Sequence, residues 1–149
     1  MDQKVRVLKI LQEAHLMSLA TQDDGGLWVS DLIFIHNDDL NIFWLSNPQC
    51  RHSKAILENP NVAGTVTVSN KTGEQNFGIQ FEGLAEKIEG ARYDLSVKHL
   101  FKRGYPVPEI TDDVLGQNSW YVLKPSKIRL IDEALSGYMA QDVSLENFL

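Results

Sequence analysis

The feature that most narrows the fold is a series of short segments with a period of two, most of them closed by a turn signal. Val62, Gly64, Val66 and Val68 alternate with Ala63, Thr65, Thr67 and Ser69, and Phe77, Ile79 and Phe81 alternate with Gly78, Gln80 and Glu82. Such alternation turns one face of a pleated strand to a core and the other to solvent. Leu16 to Thr21, Leu27 to His36 and Leu40 to Ser46 form an earlier group, parted by the hairpin signal Asp23-Asp24-Gly25-Gly26 and by Asn37-Asp38-Asp39. They read as a three-strand meander. Its middle member holds the apolar run Leu32-Ile33-Phe34-Ile35, which implies cover on both faces, by a core and by a further element such as a second subunit. The Phe77 strand runs on through Gly83 to about Ile88, Gly78 and Gly83 marking bends or close approach by another group. Ser119 to Lys124 and Lys127 to Asp132, parted by Pro125-Ser126, read as the last strands.

Helices punctuate this pattern without alternating with single strands. Val7, Ile10, Leu11 and Ala14 share a helical stripe after an Asp2 cap, and Tyr93, Val97, Leu100 and Phe101 share another that ends at Gly104 and Pro106. Short strands with few helices and no β-α-β repeat predict a mostly β chain, an antiparallel barrel with flanking helices. The 149 residues, 43% of them hydrophobic and 23% charged, are expected to form one domain, 1–149. No stretch approaches the roughly 18 apolar residues of a membrane span, and Asp2, Lys4, Arg6 and Lys9 leave no room for a signal-peptide core. A cytoplasmic protein without a membrane partner is expected. The single cysteine, Cys50, rules out an internal disulfide, and a net charge of −6 argues against nucleic-acid binding.

Any anion recognition must therefore be local, and one segment is the candidate for it. Ser46-Asn47-Pro48-Gln49-Cys50 reads as a turn that feeds a helix opening with Arg51-His52-Ser53-Lys54. A helix start carries about half a positive charge and unpaired N–H groups, so cations there are unfavourable unless an anion sits among them. A phosphate would resolve the conflict, with Arg51 as a fork, Lys54 as a point charge, Ser46 and Ser53 as hydroxyl donors and His52 as a further donor. The bland reading is a solvated first turn.

Other candidates are weaker. The acid pairs Asp23-Asp24, Asp38-Asp39 and Asp112-Asp113 fall in turns or loops, where carboxylates usually solvate the backbone. The four histidines show no metal-ligand spacing, so no metal site is expected. Cys50 beside Arg51 favours a thiolate, yet the sequence offers it neither base nor orienter. Dinucleotide and triphosphate loops are absent.

Taken in order, the layout resembles the pyridoxamine 5'-phosphate oxidase-like family of FMN-binding split barrels, and its small bacterial branch most closely. The opening helix before His15-Leu-Met-Ser-Leu-Ala-Thr21, the strands Val29 to Ile35 and Asn41 to Ser46, and Arg51-His52-Ser53-Lys54 carry the likeness. So do Glu58-Asn59-Pro60-Asn61-Val62 and Phe81-Glu82-Gly83-Leu84-Ala85-Glu86-Lys87-Ile88. The resemblance implies an antiparallel split β-barrel that forms a homodimer with FMN at the interface. It implies that Ser46, Arg51, His52, Ser53 and Lys54 hold the phosphate, and that the ring lies along the backbone of Asp31, Leu32 and Ile33, near Leu45. Gln80 is the nearest match to a glutamine that the oxidase proper carries at the position of Gly78, and Trp120 or Gly137-Tyr138 would reach the partner's flavin.

Two departures bear on activity. The oxidase proper has basic residues where Ser30 and Ile35 stand here, and its basic substrate segment near the C-terminus has no counterpart. The implied function is thus a flavin-dependent oxidoreductase that works with a small-molecule electron donor or acceptor and is not a true pyridoxamine phosphate oxidase. A non-catalytic flavin or haem sensor, and deazaflavin in place of FMN, are the alternatives.

Overall fold

Asp2 opens the first helix by accepting the Lys4 backbone N–H at 2.7 Å, which fills one of the donors a helix start leaves free. The computed structural model describes residues 2–146, and this helix, α1, spans Gln3–Glu13 with Val7, Ile10 and Leu11 fully buried. The strands are β1 (Leu16–Asp23), β2 (Gly26–Ile33), β3 (Ile35–His36), β4 (Ile42–Ser46), β5 (Asn61–Thr67), β6 (Phe77–Ile88), β7 (Ser119–Asp132) and β8 (Gln141–Val143). Helix α2 (Arg51–Glu58) joins β4 to β5, α3 (Tyr93–Lys102) lies between β6 and β7, and the single turn α4 (Glu133–Ser136) follows β7. No helix among the described residues is long and apolar enough to cross a membrane.

The strands pair antiparallel in the order β2-β1-β5-β6-β7-β4-β3, with β8 added to β7. β2 and β3 stand at opposite ends of that order, yet only Phe34 separates them in the chain. The covalent link brings the two edges together and curls the sheet into a split barrel with flanking helices. The predicted meander is therefore corrected: Gly26–Ile33 pairs with β1, Ile35–His36 pairs with β4, and the other edge of β1 goes to β5. A segment that changes partners across a seam must break between them.

That break explains the apolar run. Phe34 enters the barrel core with Leu11, Met17, Trp44 and Tyr121, the last two stacked at 5.8 Å between ring centroids. Ile35 enters a second core with Phe43, Leu95, Trp120 and Val122. Leu95 of α3 thus covers Ile35 from within the same chain, while Leu32 and Ile33 are half-buried. Helix α3 itself uses a different face from the predicted stripe. Leu95, Ser96 and His99 are buried while Tyr93 and Phe101 are exposed, and Lys102 continues the buried side. The Lys102 ammonium donates to the Leu11 carbonyl at 3.1 Å and the Phe34 carbonyl at 3.0 Å, and lies 3.8 Å from the Phe34 ring centroid. Burial pushes its pKa down to about 8.

Pro125-Ser126 does not end a strand, as the sequence pattern predicted. β7 runs through 14 residues because its register with β6 shifts between Glu82 and Gly83, which pair with Lys127 and Pro125, and Ser126 is the extra residue of a bulge. A Cβ at Gly83 would lie 2.3 Å from the Lys124 carbonyl oxygen, so the close approach read from this glycine is made by β7.

Candidate functional site

Helix α2 packs chiefly on β1, and from its first turn His52 reaches the seam where β2 and β4 approach. The imidazole is 9% exposed, with Nε2 at 2.9 Å from Ser46 Oγ on β4 and Nδ1 at 3.3 Å from Ser30 Oγ on β2. Burial lowers its pKa, so the ring is neutral, with one nitrogen donating and the other accepting. His52 thus ties two strands that share no ladder, and both nitrogens already have partners within the chain.

The neighbouring residues face outward. Cys50 caps α2 without a side-chain hydrogen bond, and no acidic residue stands in the first turn. Arg51 lies over Trp28, its guanidinium carbon 4.6 Å from the ring centroid, and donates through Nε and Nη2 to the two oxygens of Asp23, each at 3.2 Å. This pairing holds the Asp23 carboxyl below the usual carboxylate range. Asp23 also accepts the Gly25 N–H at 2.8 Å, so the turn-solvating role expected of it is only half of what it does. Exposed Lys54, with Arg51, Gln49, Asp23, Asp24 and Glu58, lines an open groove of about 540 Å³. Ser53 is fully buried, and its hydroxyl has no hydrogen-bond partner.

The remaining predicted positions divide into two sets. Asp31, Leu32 and Ile33 lie on β2 and Leu45 and Ser46 on β4, and of these two strands Ser30 and Ser46 meet the first turn of α2 through His52. Asp31 accepts the Ser18 hydroxyl at 2.6 Å, while Leu32 packs on the barrel core. β2 ends the strand order, which leaves its outer backbone edge without a ladder partner among the described residues. Gln80 is exposed on β6, with β1 and β5 between it and β2. Trp120 is fully buried in the second core, edge-on to His99 at 5.7 Å, although its backbone pairs with Leu45. Neither side chain joins the α2 cluster within one chain. Sequence reasoning missed Asp23, Trp28 and Ser30 as partners of this turn. The alternation of β2, which sets Trp28, Ser30 and Leu32 on one face, was the available signal.

The curled antiparallel sheet, its seam and the helices packed on it define a split barrel. The conserved hypothetical protein Rv2991 of Mycobacterium tuberculosis has the same fold, with a TM-score of 0.79 at 16% identity over 97% of this chain and 92% of that one. HutZ, the haem storage protein of Vibrio cholerae, matches with a TM-score of 0.66 at 19% identity over 87% of this chain and 95% of its own. A UPF0306 protein of Yersinia pestis is 24% identical over 117 residues, 78% of this chain and 79% of the relative. The sequence pattern of the pyridoxamine 5'-phosphate oxidase family matches residues 3–132, and the chain belongs to that family.

Proposed function

We propose that this chain binds FMN at the seam and acts as a flavin-dependent oxidoreductase, as a homodimer with the cofactor at its interface. The observation that carries the reading is the start of α2. There a fixed guanidinium and a lysine line one groove together with Asp23, Asp24 and Glu58, the helix start has no side-chain cap and no acidic residue in its own first turn, and behind it the fully buried Ser53 hydroxyl has no partner. That donor set matches a phosphate dianion. Arg51 and Lys54 would hold the phosphate at the open helix start, Ser53 would contribute its unfilled donor only if α2 shifts to expose it, and the free edge of β2 at Asp31, Leu32 and Ile33 would offer backbone groups to the ring edge. His52 and Ser46 act one step back by holding β2 and β4 together beneath the start of α2. FMN, when bound, supplies hydride or single-electron chemistry. The chain contributes orientation and charge, and no catalytic side chain is assigned.

Two further observations support the finer points. Leu27 and Val29 are 75% and 61% exposed on the outer face of β2, beside Ala20 and near Leu84, a surface suited to a second copy of the chain. Ser30 is taken up by His52 and Ile35 is buried, so neither position offers the cation that the oxidase proper has there. This supports a substrate other than pyridoxamine phosphate. The haem named for the Vibrio neighbour does not extend to this chain through His52, whose ring nitrogens are both engaged. The test is the visible spectrum of the purified chain after FMN addition, followed by stopped-flow mixing with NADH or NADPH. Flavin bands that bleach rapidly support an oxidoreductase. Bands that persist with every common reductant favour a store or sensor, and the absence of any bound flavin overturns the cofactor.

A further inference from the structure

Arg51 is anchored before any ligand arrives. Asp23 takes its Nε and one Nη2 hydrogen, Trp28 lies against the guanidinium, and Asp23 is itself fixed by the Gly25 N–H within the β1–β2 turn. A guanidinium has five N–H donors. Two are spent on Asp23, so the three at its far end remain. Gly25 backs this arrangement, since a Cβ there would lie 3.3 Å from Arg51 Nη2. A free arginine would have to give up rotamer freedom to bind an anion, and a held one has already done so.

We propose that Asp23 and Trp28 are positioning residues, which preset the far edge of the Arg51 guanidinium for an oxyanion and make the β1–β2 turn the second jaw of the phosphate clamp. The proposal rests on the FMN reading above for the identity of the ligand, though not for the anion. The opposing reading, in which Asp23 occupies Arg51 and competes with phosphate, predicts the reverse response to the same substitution. Asp23→Asn keeps the acceptor for Gly25 but removes the charge and turns an amide N–H toward Arg51.

The expected result is an FMN dissociation constant raised about tenfold in Asp23→Asn, with riboflavin affinity unchanged. In an Arg51→Ala background the same substitution should have no further effect, because Asp23 acts through Arg51. Trp28→Phe should keep most of the affinity and Trp28→Leu should lose it. Equal or tighter FMN binding by Asp23→Asn, or an undiminished effect without Arg51, overturns the clamp and leaves the FMN reading standing. Inorganic phosphate separates the two. If the wild-type chain binds no FMN but phosphate still shifts its tryptophan emission, and Trp28→Phe abolishes that shift, the clamp stands and the FMN reading fails. If neither ligand binds, both fail.

Discussion

His52 shows how one buried ring can join two strands that share no ladder. Its ring joins Ser46, which is 7% exposed, to Ser30 across strands that do not pair. His52→Ala strips the partner from a buried hydroxyl and leaves a void beneath α2, with an expected loss of about 1–3 kcal/mol in urea unfolding. The double variant with Ser46→Ala should cost less than the sum of the single changes, because the pair forms one network. A stability equal to that of the wild type would contradict the bridge. Arg51 and Lys54 were legible in the sequence because cations in a first turn conflict with the helix dipole. His52 was legible as a member of the group but not as the tie between β2 and β4. Ser30 and Asp23 lie 22 and 28 residues from their partners, and only the fold brings them there.

At the scale of elements, alternation was a sufficient guide wherever one strand face meets solvent. It located β5 and β6 closely, turn signals located β1 and β4, and the Asp2 cap located α1. It failed where a segment serves two partners. Leu27 to His36 looked like one strand because both halves are apolar, and only closure of the barrel requires the break at Phe34. Pro125 looked like a terminator because a proline cannot donate to a ladder, but a bulge opposite Gly83 accommodates it. The buried side of α3 was misread because it includes His99 and Lys102, polar residues that find partners within the fold. The bulge yields a sharp expectation. Gly83→Ala sets a methyl against the Lys124 backbone, forces β6 and β7 apart, and should lower stability by at least about 2 kcal/mol. A thermal midpoint equal to that of the wild type would show that the strands yield there at no cost.

The whole molecule is a sheet closed by its own chain, with helices packed on it and with His36, His52 and His99 held neutral within it. Burial, with Lys102 and Lys98 nearby, lowers the His36 pKa to about 4, and burial also lowers those of His52 and His99. The unfolded chain therefore binds more protons than the folded one between about pH 6.5 and 4. The histidine contribution to stability is held in full above that window and is lost as pH descends through it. For His36 the loss is on the order of 1 kcal/mol after allowance for solvent screening. Denaturant midpoints at pH 7 and pH 5 should differ, and His36→Asn should narrow the gap; an unchanged gap would remove His36 as its source. On the FMN reading proposed above, the phosphate group decides what this barrel binds. Calorimetric titration of flavin-free protein with FMN and with riboflavin tests it directly. The expected result is one FMN per chain, bound at least about 100-fold more tightly than riboflavin, with the difference erased in Arg51→Ala with Lys54→Ala. Equal affinity for the two flavins, or no binding of FMN, would contradict it.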